Sequence, residues 1–145
     1  MNKRVVIAVV VAAIVLIAVA VPLVNNACAA ANRKQLETLS LPAGTARVET
    51  ISYTGRLIGE GDGVQFWAAM LIESTQPFAQ LESYYTSLGC FIQKQRGVTV
   101  DRVDNNVLHA EMSFDTILDA DKTYYIVYKW GKGIPPFTWL DIRGV

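Results

Sequence analysis

An uninterrupted apolar stretch near the start of the chain constrains the fold more than any other feature. Residues 5–24 contain nine Val, five Ala, three Ile, two Leu and one Pro, and no charged side chain. Twenty residues of α-helix extend about 30 Å, which is the thickness of the hydrocarbon core of a bilayer. Valine is a modest helix former in water, but lipid offers no partner for an open backbone amide and so enforces the helix. The stretch predicts a transmembrane helix that acts as a signal anchor.

The charges on either side of this stretch predict its orientation. Residues 1–4 carry Lys3 and Arg4 directly before it, whereas the next basic residues, Arg33 and Lys34, lie nine and ten residues beyond its end. Basic residues close to a transmembrane helix favour the cytoplasmic side. We therefore predict a single-pass protein of the cell membrane, with a cytoplasmic N-terminus and with everything after the helix outside.

Two other fates of the apolar stretch stay open. A cleavable signal peptide has an apolar region of about 7–15 residues and a small-residue cleavage site, which residues 27–29 or 29–31 would provide. Attachment of a lipid to Cys28 is the second, although Asn25 stands where a bacterial lipoprotein has a leucine-like residue. The apolar run is longer than that of a signal peptide, which favours a retained anchor.

The rest of the chain has the composition of a soluble domain. Apolar residues account for 25 of residues 1–31 but for only 50 of the 114 that follow, and all 14 aromatic residues lie in this second part. Residues 25–44 are small and polar, then weakly helical, then broken by Pro42 and Gly44, which predicts a short stalk. Residues 45–145 then form one extracytoplasmic domain.

Side-chain periodicity predicts the elements of this domain. Alternation predicts strands at residues 46–53, 64–73, 90–96, 106–114, 123–130 and 137–143. A helix follows the second strand, with Pro77 in its first turn, Gly89 at its end and an apolar stripe formed by Phe78, Leu81, Tyr84, Tyr85 and Leu88. The order β-β-α-β-β-β-β predicts an α+β fold, a two-layer domain in which an antiparallel sheet carries one packed helix.

The most distinctive motif is the glycine-rich run Gly59-Glu60-Gly61-Asp62-Gly63. A phosphate-binding loop requires a helix directly after it, because the phosphate is held by free amides at a helix N-terminus. Here a strand follows, so the nucleotide interpretation loses its physical basis. A β-hairpin loop is the simpler interpretation. The alternative is an exposed recognition loop formed by Glu60, Gly61, Asp62 and Gly63, in which the two acidic side chains present negative charge.

Residues that carry catalytic or metal chemistry are sparse. His109 is the only histidine, which excludes a multi-histidine zinc site. Asp115, Asp119 and Asp121 lack the spacing of a calcium loop and are expected to form turns. The balance of 13 basic and 13 acidic side chains excludes a strongly basic nucleic-acid binder. We expect no metal, no cofactor and no nucleic acid, and we assign no catalytic residue.

Aromatic residues concentrate in the last two predicted strands. Alternation in the strand 123–130 places Tyr124 and Trp130 on one face and Tyr125 with Lys129 on the other. Most of these aromatic side chains are expected in the core. Tyr125 and Lys129 are the candidates for a partly exposed aromatic surface where a partner could dock.

Several of these segments together resemble a family of short, membrane-anchored proteins of Gram-positive bacteria. The resemblance rests on GRLIGEGDG at 55–63, the Tyr84-Tyr85 helix, YYIVYKWG at 124–131 and LDIRG at 140–144, and it extends over most of residues 39–144. It implies an anchor and an outer domain. The glycine loop of that family tends to carry Asn where this chain has Glu60 and Asp62, and no activity is established for it, so the resemblance implies no site.

These observations predict a membrane-anchored extracytoplasmic binding domain of unknown specificity that is not an enzyme. Its partners are the membrane itself and a protein or envelope component. One alternative is a surface or secreted hydrolase that uses His109 with Glu111 or Asp115. The other is a secreted carrier of a small ligand, which requires cleavage of the leader and a lined cavity.

Overall fold

The computed structural model describes residues 2–55, 63–95, 114–131 and 133–144. Its elements are α1 (Lys3–Glu37), β1 (Thr45–Gly55), β2 (Gln65–Ser74), α2 (Phe78–Ser87), β3 (Phe91–Lys94), β4 (Tyr124–Gly131), α3 (Phe137–Leu140) and a 3₁₀ helix (Ile142–Gly144). The long apolar helix is followed by an antiparallel sheet with short helices, which confirms the predicted α+β fold.

The four strands form one antiparallel sheet in the order β1-β2-β4-β3. The central strand β2 is buried on both faces over most of its length, which explains why its sequence reads as a nearly continuous apolar run. Its register is set by close apolar pairs, such as Leu71 opposite Ile126 of β4 and Ala69 opposite Ile51 of β1.

The two faces of the sheet form two apolar clusters. On the first face Trp67, Ala69 and Leu71 pack with alternate residues of β4 and with Phe114. On the second face Ala68, Met70 and Ile72 pack against helical residues, which are Leu36 of α1 and Leu81 and Tyr85 of α2. Two helices therefore cover the second face, where the sequence predicted one. Gly89, with a φ of 70°, ends α2 as predicted.

Helix α1 continues without a break from the apolar stretch into the core of the domain. Its apolar stretch is long and apolar enough to cross a membrane, and only 6% of that stretch is buried. Val21 is the first buried residue, followed at three- and four-residue spacing by Asn25, Ala29, Asn32 and Leu36. This spacing places the buried residues on one face of the helix, directed at the sheet.

The predicted stalk at 25–44 is therefore wrong for most of its length. Residues 25–37 are the last three turns of α1 and pack against the sheet, and only 38–44 connect α1 to β1. Ala29, the one buried alanine in this part of α1, packs against Val64 and Phe66 at the start of β2. A Cβ on Gly131 of β4 would overlap the amide of Asn32, so the close approach depends on that glycine.

The predicted strand 137–143 is also wrong. Residues 137–140 form the single turn α3, which follows Pro135 and Pro136 and begins with hydrogen bonds from Trp139 and Leu140 to the carbonyl of Pro136. Proline is suited to the start of a helix because it has no N–H to satisfy, and this outweighed the alternation of Phe137 and Trp139. The predicted strand 106–114 lies almost entirely outside the described residues.

Candidate functional site

An open cleft of about 740 Å³ lies between α1 and β1, which is an edge strand of the sheet in the described part of the chain. We call it the α1–β1 cleft. Its lining combines two guanidinium groups and three carboxylates with a few uncharged side chains: Arg33, Glu37, Arg47, Val48, Glu49, Thr50, Ile51 and Asp115. A wall with both signs of charge is suited to a ligand that itself carries both signs.

The helical wall of the cleft is an ion pair on one turn of α1. The Nε of Arg33 donates to the Oε1 of Glu37 over 2.7 Å, the i,i+4 spacing at which helical side chains meet. Half of the Arg33 side chain is exposed. An exposed pair of this kind contributes little to stability, so both charges remain accessible to a ligand at small cost.

The strand wall begins at an irregularity in β1. The register with β2 shifts between Arg47 and Glu49, which brings Val48 onto the same side as Glu49. The side chain of Arg47 reaches back to the connection after α1, where its Nη2 donates to the carbonyl of Leu39 over 3.3 Å. This contact joins the connection after α1 to β1 at one end of the cleft.

The carboxylate of Glu49 binds residues 115–116, which are distant in sequence, at the edge of β1. It accepts hydrogen bonds from the backbone N–H of Asp115 and from the N–H and hydroxyl of Thr116, at 2.8–3.2 Å. Partial burial raises the pKa of Glu49, but the bonds from Thr116 and Asp115 outweigh it and the pKa is lowered. Glu49 is therefore an ionised structural acceptor and a poor general base.

A second polar cluster joins α1 to α3 and the 3₁₀ helix, and we call it the Asp141 latch. Asp141 is almost fully buried, and its Oδ2 accepts from the Nδ2 of Asn25 at 2.8 Å and from the Nη2 of Arg143 at 2.6 Å. Arg143 also donates to the side chain of Asn26 and, at 3.4 Å, to the carbonyl of Pro22. The Arg143 guanidinium, above all, holds the pKa of the Asp141 carboxyl far below its usual range.

Sequence reasoning missed this latch. The only signal for it is the spacing Asp-x-Arg within LDIRG, which lets one side chain fold back on the other. The sequence predicts a stalk at Asn25 and Asn26, and nothing in their spacing shows that residues more than one hundred positions later contact them.

The predicted recognition loop is only partly covered by the described residues. Glu60, Gly61 and Asp62 lie outside them. Gly63 is described and has a φ of 97°, and a Cβ there would come within 2.5 Å of the carbonyl oxygen of Thr138. The next residue, Val64, donates its N–H to the same carbonyl at 2.8 Å. Gly63 thus permits a close backbone contact with α3.

The predicted exposed aromatic surface is wrong. Tyr125 is only 5% exposed, stacks on Phe78 of α2 and donates its hydroxyl to the carbonyl of Gln76 at 3.3 Å. The Nζ of Lys129 donates to the side chain of Gln35 on α1 at 2.8 Å. Both residues do lie on the face opposite Tyr124 and Trp130, as predicted, but α1 and α2 cover that face.

The remaining chemical candidates give no catalytic arrangement in the part of the chain that is described. His109 and Glu111 lie outside it, and within it no group of three or more His, Cys, Asp or Glu could hold a metal ion. Asp119 accepts from the N–H of Asp121, as expected of a turn. Burial raises the pKa of the Cys90 thiol beside a cavity of about 270 Å³, so this cysteine is not an activated nucleophile.

Comparison of the chain with protein-family models, with curated proteins and with solved structures finds no match.

Proposed function

We propose that this chain is a single-pass membrane protein whose outer domain binds a partner protein through the α1–β1 cleft. The observation that carries the proposal is the continuity of α1, whose apolar half is exposed and whose second half is part of the domain core. A binding surface built on such a helix is held at a fixed height and direction above the bilayer.

The anchor follows from the first half of α1. Large aliphatic side chains from Val5 to Val19 are exposed around the whole circumference of the helix, an arrangement that is costly in water and favourable in lipid. Lys3 and Arg4 precede this half, and they favour a cytoplasmic N-terminus and a domain outside.

The partner follows from the lining of the cleft. Arg33 and Arg47 line one open depression together with Glu37, Glu49 and Asp115, so a bound surface meets charges of both signs. A protein segment with basic and acidic side chains matches this lining better than a polyanion or an apolar small molecule. Electrostatic matching of this kind gives specificity and also makes binding sensitive to salt.

The cleft is tested by charge variants of the tagged full chain, used to recover partners from detergent extracts. Arg33→Glu should reduce recovery of the partner at least tenfold. The exchange Arg33→Glu with Glu37→Arg should reduce recovery similarly, although it keeps the helical ion pair and the net charge. Lys94→Glu makes the same charge change as Arg33→Glu on the opposite edge strand β3 and should leave recovery unchanged.

The outcomes separate binding from the enzymatic alternative. A partner that is recovered equally by all of these variants contradicts binding at the cleft. His109→Ala should also leave recovery unchanged, whereas a hydrolase that uses His109 would lose its activity. The anchor is tested separately by washing membranes with alkaline carbonate, after which the full-length chain should remain in the pellet.

A further inference from the structure

The segment 133–144 exposes an unusual amount of apolar surface. Trp139 is 63% exposed, Leu140 54% and Ile142 83%, and Ile134 is half exposed as well. A soluble domain with a packed core normally buries large side chains of this kind, and a cluster of exposed ones marks a contact with something else. The four side chains belong to twelve successive residues, and α3 and the 3₁₀ helix hold them in one short piece of chain.

The contacts of this segment place it at one level of α1. The Nδ2 of Asn25 donates to the carbonyl of Phe137 at 3.0 Å, and Arg143 donates to Asn26 and to the carbonyl of Pro22. The segment is therefore attached where residues 22–26 lie, immediately at the end of the apolar stretch. Leu23, on the same turn of α1, is 63% exposed.

In a helix that spans the bilayer, residues 22–26 lie at the boundary of the bilayer. Residues 5–24 extend about 30 Å, so a helix that centres them in the membrane brings residues 22–26 to the junction between the acyl chains and the headgroups. Tryptophan is enriched at this junction because its ring is apolar and its indole N–H can remain hydrated. Trp139 lies between Phe137 and Arg143, which contact residues 22–26, so its neighbours in the chain put it near this depth.

We infer that the segment 133–144 is a second membrane contact, in which Trp139, Leu140 and Ile142 insert into the interfacial region of the bilayer that α1 spans. The inference rests on the proposed anchor and adds a new site to it. Two contacts, one spanning and one lying in the interface, fix the tilt of the domain, so the α1–β1 cleft faces a constant direction.

The lipid preference of this contact follows from its charge. Arg143, the one basic side chain described in the segment, is paired with Asp141 at 2.6 Å, so the pair carries no net charge toward the headgroups. The apolar side chains therefore supply the attraction. Insertion should proceed into zwitterionic phosphatidylcholine, which has no net charge, and should change little with salt or with added anionic lipid.

The test uses the full chain reconstituted in phosphatidylcholine vesicles, with lipids brominated near the headgroup end of their acyl chains as quenchers of tryptophan fluorescence. Trp67 is fully buried in the sheet, so Trp139 should account for most of the quenching. Trp139→Phe should abolish at least two thirds of it. Trp130→Phe, which removes the tryptophan on β4, should leave the quenched fraction of the tryptophan fluorescence unchanged or raise it.

A second pair of variants guards against an effect of folding. The double change Leu140→Asp with Ile142→Asp alters exposed side chains and should reduce the quenching of Trp139 at least twofold. Ile117→Asp, at a side chain that is 89% exposed in another part of the domain, should not. Quenching that is equal in all variants, Trp139→Phe included, would overturn the proposal. Cross-linking between two copies of the chain through position 139, without quenching, would overturn it in favour of a protein contact.

The carbonate wash separates this proposal from the anchor on which it rests. A chain that stays in the pellet but shows no quenching of Trp139 has the anchor and lacks the interfacial contact. A chain that the wash extracts has neither, and both proposals then fail.

Discussion

Asp141 is the residue whose chemistry matters most for the attachment of the last elements to α1. Its carboxylate is buried and is satisfied by Asn25 and by the side chain and backbone of Arg143. A buried charge is stable only when such partners are all present, because removing one leaves the others without compensation. The loss of any one of these partners should therefore weaken the attachment of the segment 133–144 to α1.

Replacing Asp141 by Asn should lower the free energy of unfolding at pH 7 by about 2 kcal/mol, because bonds to an ionised group are worth roughly 1.5–3 kcal/mol. The pKa of Asp141 is lowered by folding. Its contribution is thus full above the unfolded pKa of about 3.9 and is lost as the pH falls below that value.

Denaturant unfolding at a series of pH values measures this contribution as the difference between the native chain and Asp141→Asn. The difference should be constant from pH 7 to about 5 and should shrink below about pH 4. Asp119→Asn, at an exposed turn, should show little difference at any pH. A difference for Asp141→Asn that grows as the pH falls would contradict the latch.

At the level of elements, the main feature of the domain is the packing of α1 against the sheet, and we call this interface the seam. At this seam the buried face of α1 carries Ala29, Asn32 and Leu36, which face β2 and the end of β4. Its closeness depends on Gly131, where a side chain would overlap the amide of Asn32. The nitrogen of that amide has no hydrogen-bond partner among the described residues.

Gly131→Ala should therefore destabilise the domain by about 1–3 kcal/mol, the usual cost of overpacking. The same change in an Asn32→Ala background should cost less than half as much, because the overlapping atoms are gone. Gly55→Ala, where a Cβ would meet only the Tyr53 ring at 3.2 Å, is the matched control with a smaller loss. Thermal unfolding of the four variants measures the coupling between positions 131 and 32. Losses of stability that simply add would contradict a close contact between these two positions.

The elements that could be predicted from the sequence are those with a local side-chain pattern. β1, β2, α2, β3 and β4 follow from local alternation or helical spacing, and each lies within a few residues of its predicted bounds. The buried face of α1 has only three apolar residues, Val21, Ala29 and Leu36, and they alternate with Asn25 and Asn32, so the sequence shows no apolar stripe there. The cleft could not be predicted because Arg33 and Glu49 meet only when α1 lies across β1.

At the scale of the whole molecule, the long helix joins two environments. Its first half is exposed and apolar, its second half is packed on the sheet, and the Asp141 latch fastens the segment 133–144 at the junction between them. The charged cleft and the proposed membrane contact are both built on this helix. In the proposed function, a hinge between the halves would let the domain rotate freely and would uncouple the cleft from the membrane.

Amide hydrogen exchange of the full chain in lipid vesicles tests this continuity most directly. A continuous α1 should show slow exchange at every amide from about residue 7 to residue 37, with lipid protecting the first part and packing on the sheet protecting the second. Pro22 has no amide to report. A run of fast-exchanging amides between residues 23 and 31 would instead show a flexible stalk and would contradict the continuity of α1.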